Sequence, residues 1–158
     1  MIGVLSVGLF LAGGSAAQAQ QTVPLERDPL IQFRLVHEEP GPDRQSVEYE
    51  DDMVHVGREH LFSDADLLSV EPFSPNPGDL GFQIELKPEI VDRVASSMTS
   101  ATGMRLALII DGEIRAISVI RDAIGWRLVV APLSLSEEEA TRLTELVRAR
   151  WPRGDPQR

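Results

Sequence analysis

The chain of 158 residues has an ordinary globular composition, 42% hydrophobic and 5% aromatic, and its length allows one domain with a modest core. Lys and Arg number 15 against 25 Asp and Glu, which gives a net charge of -10. Because an acidic surface repels phosphate backbones and anionic lipid headgroups, we expect no nucleic-acid partner. The lack of cysteine excludes a disulfide framework, a thiol nucleophile and a zinc–thiolate site.

The amino-terminal segment has the pattern of a secretion signal. Residues 1–19 carry no charged side chain and include the apolar run Ile2–Ala12, before small residues that end at Ala19. This pattern predicts a signal peptide cleaved after Ala19 and a periplasmic or secreted mature protein. We expect no integral membrane span in the mature chain, since about eleven apolar residues are too few to cross a hydrocarbon core of about 30 Å. Residues 20–29 are polar with two prolines, and we expect a flexible lead outside the core.

The first half of the mature chain predicts strands. Residues 30–37 alternate between apolar and polar, which indicates a half-buried strand. Residues 44–66 are acidic and weakly patterned, and we expect a short strand and a turn there. The stretches 67–73 and 80–86 flank a turn rich in proline, asparagine and glycine, which predicts a β-hairpin.

The second half predicts a helix, a hairpin, a strand and a second helix. Residues 88–102 form an amphipathic pattern, with Pro88 suited to a helix start and Gly103 to a helix end. Two β-branched runs meet at Asp111-Gly112, a pair that tolerates the positive φ angles of a type I′ turn. A strand is expected at 126–132, and Ser136 with Glu139 predicts a capping box at the start of the last helix.

These elements predict an α+β fold, with a mainly antiparallel β-sheet and two α-helices packed on one face. We expect a single domain over residues 30–152, followed by a tail at 153–158.

The stretch from Gly103 to Ile124 resembles a known family. A glycine, a basic residue and Leu-Ala open it, Asp111-Gly112 forms its turn, and Ile-Arg-Asp-Ala-Ile closes it. This order is similar to the head subdomain of the first periplasmic domain of SecD, a subunit of the bacterial protein-export machinery. The helix start at 136–140 resembles the same family, and the similarity covers roughly residues 61–152. The resemblance implies a free-standing, extracytoplasmic α+β domain that contacts emerging polypeptide.

The chain departs from the family in two places. Ala116-Ile117-Ser118 stands where the family has Ser-Ala-Pro, and Ala123 replaces a proline. Since a strand without proline regains a backbone donor, we expect the local sheet edge to pair differently here.

Catalytic and metal-binding patterns are weak. His37, His55 and His60 lie among acidic residues, but a spacing of five puts the last two on no shared face of a helix or strand. No nucleophile elbow or phosphate-binding loop is present in the sequence. We therefore expect no enzyme activity, no cofactor and no metal. The alternative is a metal-binding protein or enzyme that uses residues 48–66.

The sequence thus favours a non-enzymatic binding module outside the cytoplasm, with polypeptide or an envelope protein as its partner. An open sheet edge would suit an extended peptide, because it offers unpaired N–H and C=O groups. Trp126 and Trp151 are either exposed contacts or caps on the core. The candidate partner contacts are Asp111, Gly112, Ile117, Val119 and Arg121.

Overall fold

A computed structural model of the protein describes residues 24–133 and 135–152. The predicted signal peptide, its cleavage site and the tail lie outside the described residues. The strands are β1 (Ile31–His37), β2 (Arg44–Tyr49), β3 (Asp52–Ser63), β4 (Leu67–Phe73), β5 (Leu80–Leu86), β6 (Arg105–Ile110), β7 (Glu113–Val119) and β8 (Arg127–Leu133). The α-helices are α1 (Val91–Ser100) and α2 (Glu137–Arg150), and single 3-10 turns lie at Asp64–Asp66 and Pro88–Ile90.

The strands form two antiparallel sheets. A five-stranded sheet has the order β2-β3-β1-β6-β7, and a three-stranded sheet has the order β4-β5-β8. The α+β class and the antiparallel pairing are therefore confirmed, while the strands divide between two sheets. The chain first passes from the larger to the smaller sheet at the 3-10 turn Asp64–Asp66, returns to the larger sheet at β6 and passes to the smaller one again at β8.

The predicted local signals in the second half are confirmed. Asp111 and Gly112 have φ angles of 54° and 77°, as a type I′ turn requires. The backbone N–H of Glu139 donates to the Ser136 Oγ at 3.2 Å, and the Ser136 N–H donates to a Glu139 carboxylate oxygen at 3.2 Å. The capping box therefore fixes the start of α2.

The prediction of a short strand and a turn in residues 44–66 is wrong, because it underestimates the length of strand there. This segment contains the six-residue strand β2 and the twelve-residue strand β3, not one short strand. The pairing of β3 with β1 shifts register twice, between Phe33 and Arg34 and between Arg34 and Val36. Each shift interrupts the two-residue period that identifies a strand, which explains why the sequence pattern is weak.

The prediction that the first strand is half-buried is also wrong. β1 lies in the middle of the five-stranded sheet, between β3 and β6, and both of its faces are covered. Its polar residues Gln32 and Arg34 are 0% and 3% exposed. The strand alternates between two different cores rather than between a core and water.

The main core joins both sheets and both helices. Val94 and Met98 of α1 and Leu143 and Val147 of α2 are buried in it. Its other buried members include Ile31, Phe33, Phe62, Leu67, Val70, Phe82, Ile84, Leu86, Leu106, Leu108 and Ile110. Both helices therefore cover the same side of the five-stranded sheet.

A second core lies on the other face of that sheet, which we call the far face. Its buried members are Leu25, Val36, Val54, Val56, Ala107 and Ile109. Leu25 is 5% exposed, so the expectation that the chain before Leu30 stays outside the core is wrong at this residue. Among the residues that the structure describes, Leu25 is the one buried member of this core that lies outside a strand.

The buried carboxylate of Asp64 joins three distant parts of the chain. It accepts hydrogen bonds from the backbone N–H groups of Leu30 (3.0 Å) and Ile31 (2.7 Å). Its Oδ2 also lies 3.2 Å from Nη2 of Arg150, in the last turn of α2. The crossover between the sheets is thus tied to the start of β1 and to the end of α2.

We expect the substitution Asp64→Ala to lower the free energy of unfolding by about 3 kcal/mol, because two N–H groups in the interior lose their acceptor. Arg150→Ala should cost about 1 kcal/mol or less, since that side chain is half exposed. Urea denaturation followed by circular dichroism measures both. Equal losses in the two variants would show that the ion pair, and not the backbone acceptance, holds the crossover.

Candidate functional site

A cleft of about 370 Å³ lies where the outer strands of the two sheets approach each other. One wall is the end of β7 with the loop after it, and the other wall is β8. We call this the edge cleft. It is lined by Ala116, Ser118–Asp122, Ile124 and Leu128–Pro132, over a floor of Phe33, Phe62, Met98, Leu106 and Leu108.

The edge cleft has an apolar floor and exposed apolar walls. The rings of Phe33 and Phe62 stack with their centroids 4.1 Å apart. Val119 on one wall and Val129 on the other are 52% and 60% exposed. Because the residues next to both valines pack against the main core, the valine side chains point away from that core, and these positions border the cleft through their main chain.

The free edge of β7 offers main-chain groups to this cleft. Beyond the strand, the Ile120 N–H donates to the Met104 carbonyl at 2.9 Å, and the Ile120 carbonyl accepts from the Gly103 N–H at 2.8 Å. Both groups of Ile120 therefore point toward β6. Because successive residues of an antiparallel strand alternate in direction, the peptide groups of Val119 and Ile117 point outward.

The free edge of β8 follows the same rule. The Leu86 N–H donates to the Trp126 carbonyl at 2.8 Å, so Trp126 and Leu128 turn their peptide groups toward β5. The groups of Arg127 and Val129 then point away from the sheet. Val129 thus presents both an exposed side chain and outward main-chain groups.

The structure places only two of the predicted contact residues in the edge cleft, Val119 and Arg121. Ile117 packs against the second core on the far face. Asp111 pairs with Arg142 of α2. Gly112 lies against the lead, where an added Cβ would come within 2.9 Å of the Leu25 carbonyl oxygen.

The β8 wall is the part of the site that the sequence did not reveal. The strand itself is predicted, but its place at the edge of a separate sheet depends on pairing with β5, for which no local signal exists. Of the two tryptophans, Trp126 is 53% exposed with the Arg127 guanidinium 4.3 Å from its ring centroid. Trp151 is half-buried against the main core.

Comparison with known proteins finds solved structures that are similar to this chain. No protein-family model matches the chain, and no curated protein matches it in sequence. One similar structure is titled "Crystal structure of SecDF in Super-membrane-facing form", with 24% identity and a TM-score of 0.55. Another is titled "Structure and function of a membrane component SecDF that enhances protein export", with 23% identity and a TM-score of 0.56.

The chain has a SecD periplasmic-domain-like fold. The first match covers 75% of this chain and only 18% of the SecDF chain, and the second covers 92% of this chain and 72% of the other. A coverage of 92% exceeds the span of residues 61–152 over which the sequence resembles the family. The structural similarity therefore also includes strands of the five-stranded sheet before Leu61. Neither α-helix of the described residues has the length and hydrophobicity that a membrane crossing requires.

The three histidines do not assemble a metal site. Within residues 24–133 and 135–152, no three His, Asp or Glu side chains are placed to share a metal ion. His55 Nδ1 lies 2.9 Å from the Ser46 hydroxyl, and His60 Nε2 lies 2.9 Å from Nη2 of Arg34. Since a guanidinium only donates, His60 Nε2 accepts this hydrogen bond and carries no proton.

Burial lowers the pKa of His60 below its ordinary value of 6.5, and the charge of Arg34 lowers it further. Burial also lowers the pKa of His37, and Arg44 adds to the effect. A lowered histidine pKa means that the unfolded chain binds protons more readily than the folded protein. These residues therefore support the fold at neutral pH, and their contribution is lost as the pH falls below about 6.5.

We expect the urea concentration at the unfolding midpoint to decrease as the pH is lowered from 7 to 5. The decrease should be smaller in the variant His60→Gln. The glutamine keeps an oxygen that can accept from Arg34 but does not titrate. The slope of the midpoint against pH is compared between the parent protein and the variant, and the difference measures how much protonation of His60 destabilises the fold. His37→Gln serves as the matched variant, and it should reduce the same slope by a separate amount because the pKa of His37 is also lowered. An unchanged slope in His60→Gln would contradict the lowered pKa.

Proposed function

We propose that this protein is a non-enzymatic, extracytoplasmic module that binds extended polypeptide in the edge cleft. The observation that carries the proposal is the meeting of two free sheet edges over one apolar floor. The SecD-like fold supports it, because one of the similar structures is described as a component that enhances protein export. The predicted signal at residues 1–19 supports a periplasmic or secreted address.

The outward peptide groups define how a polypeptide would bind. An extended segment would pair its main chain with Val119 on one side or with Val129 on the other, as an added β-strand. Main-chain pairing does not depend on the ligand's side chains, so it suits a partner of varied sequence. The apolar floor would then take alternate side chains of the segment.

The charges near the cleft favour some segments over others. Arg121 and Asp122 both line the edge cleft, so ligand charges of either sign meet an opposite charge there. The net charge of -10 repels strongly acidic chains at longer range. We infer that the preferred ligand is an extended segment with apolar residues at alternate positions and little negative charge.

Replacement of Val119 by proline tests this function. Proline removes an outward N–H and leaves the inward ladder of β7 in place, so we expect affinity for an extended peptide to fall about tenfold, the loss that about one hydrogen bond produces. Fluorescence anisotropy of a labelled peptide of alternating valine and threonine measures the change. Val119→Ser is the matched control, because it shortens the side chain but keeps the N–H.

Val129→Pro applies the same test to the opposite wall. A loss at Val119→Pro alone assigns the pairing to β7, and a loss at Val129→Pro alone assigns it to β8. Circular dichroism and the urea midpoint must show that each variant is folded. If both folded proline variants bind the peptide as the parent protein does, strand addition in the edge cleft is wrong.

A further inference from the structure

The strand β2 is the outer strand of the five-stranded sheet on the side away from β7. It pairs with β3 on one side, and no described strand lies on its other side. Its register with β3 is continuous from Arg44 to Tyr49, without a bulge, and it contains no proline and no lysine. The features that usually guard an outer strand against pairing are therefore absent from β2.

The turn between β2 and β3 shows which main-chain groups of β2 point toward β3. Its two residues, Glu50 and Asp51, have φ angles of 50° and 66°, as in a two-residue type I′ turn. Tyr49 pairs with Asp52 across this turn. Because the pair that closes such a hairpin exchanges both of its main-chain hydrogen bonds, the peptide groups of Tyr49 point toward β3.

Alternation along β2 then gives the groups that point outward. Every second residue from Tyr49 faces β3, and the residues between them face away from the sheet. The contact just before the strand agrees, because the Asp43 carbonyl accepts from a β3 N–H at 2.9 Å. The residues that turn their peptide groups outward are Arg44, Ser46 and Glu48.

These outward residues carry one charge of each sign, at opposite ends. If two copies of β2 pair antiparallel about Ser46, each Arg44 lies opposite Glu48 of the second copy. Residues that are directly opposite share a face of the sheet, with Cβ atoms about 4.5–5.5 Å apart. Glu48 is exposed. The Arg44 guanidinium donates one of its five N–H groups to the Glu39 carbonyl at 2.7 Å, and its Nε lies 3.6 Å from the Asp43 carboxylate, so donors remain for a second carboxylate.

The main chain and the far face fit the same register. The two copies of Ser46 exchange their N–H and carbonyl groups, and the Glu48 N–H meets the Arg44 carbonyl. The Arg44 N–H is already donated to the Gly41 carbonyl at 3.1 Å, so it takes no part. On the far face, Val47 packs against the second core and lies diagonal to Val47 of the second copy, within reach of a side-chain contact.

We propose that β2 is a homodimer interface, at which two copies of the chain pair edge to edge and join their five-stranded sheets into one. The partner is a second copy because the charges of this edge complement the same edge after a two-fold rotation. The edge of β7 lacks this match, since its Arg115 is buried and already bonded to Glu139 of α2 at 3.0 Å. β2 and β7 lie at opposite sides of the sheet, so the dimer leaves both edge clefts open.

Exchange of the charges tests the interface. At about 0.15 M salt the Debye length of about 8 Å screens the repulsion between two chains of net charge -10, and sedimentation equilibrium should show the parent protein dimerise as its concentration rises. Arg44→Glu and Glu48→Arg each set like charges opposite each other, so each should raise the dimer dissociation constant at least tenfold. An equimolar mixture of the two variants should regain the parental value, because every opposed pair again has opposite signs. A parent protein or a mixture that stays monomeric up to its solubility limit would overturn the proposal.

Single cysteines test the register, since the chain has no cysteine. Ser46→Cys should be cross-linked into a dimer by a short bismaleimide, because the two copies of this residue face each other on the two-fold axis. Pro42→Cys is the matched control. That position is exposed, but its two copies lie eight positions apart along the paired strands, about 26 Å. Equal cross-linking of the two variants would contradict the register.

A proline at the centre of β2 separates this interface from the edge cleft. Ser46→Pro removes an outward N–H and leaves the hydrogen bonds to β3 in place, so dimerisation should be lost while the urea midpoint is kept. Val119→Pro, on β7, should dimerise as the parent protein does. Peptide binding in the edge cleft should be unchanged in Ser46→Pro, so a failure of the dimer and a failure of the proposed function are seen separately. If Ser46→Pro dimerises and Val119→Pro does not, the copies join through β7 and the proposal is wrong.

Discussion

The division of this fold into two sheets depends on the crossover at Asp64. Because the carboxylate accepts from the N–H groups of Leu30 and Ile31, the end of β3 is tied to the start of β1. Arg150 ties the same point to the end of α2. The chain therefore leaves the first sheet at this point, returns to it at β6 and leaves it again after β7, so that β4, β5 and β8 pair among themselves. Two sheets that share one core leave two outer strands beside each other, and the edge cleft is the space between those strands.

Free edges are a hazard that most proteins cover, charge or interrupt with proline. Ser118 stands where the family that the hairpin resembles has proline, and its alternation with Ile120 turns its N–H toward β6. Serine at this position therefore adds a hydrogen bond to the ladder inside the sheet and does not open the edge further. The outward groups belong to Val119 and Ile117. The exposed valines on both walls of the cleft show that neither edge is protected by charge at its centre.

The sequence predicted the elements whose signals are local. The Asp111-Gly112 turn, the capping box of Ser136 and the amphipathic helix before Gly103 follow from a few neighbouring residues, and the structure confirms them. The pairing of strands that are distant in the sequence does not follow from neighbouring residues. The register shifts of β3 against β1 hide a twelve-residue strand, and nothing near Val129 indicates that β8 forms an outer edge.

The contact residues show the same limit. The sequence suggests Asp111 and Gly112 as contacts because they mark the hairpin, but a turn that identifies a fold need not be exposed to a partner. Asp111 pairs with Arg142, and Gly112 lies against the backbone of Leu25. Val119 and Arg121 lie in the edge cleft because β7 ends there, and not because of their own residue types.

The central strand gives a physical reason to distinguish the two faces of the sheet. A buried glutamine and a buried arginine are costly unless their polar groups are hydrogen-bonded, and apolar residues carry no such cost. Ile31 and Phe33 on the same strand show that apolar side chains are used wherever the strand faces the main core. Gln32 and Arg34 alternate with them on the far face, where the Gln32 amide donates to the Glu26 and Pro29 carbonyls and the Arg34 guanidinium contacts His60 of β3. Because a polar side chain is tolerated in the interior where it is hydrogen-bonded, these two residues stand where they fasten the chain before β1, and the neighbouring strand β3, to the central strand.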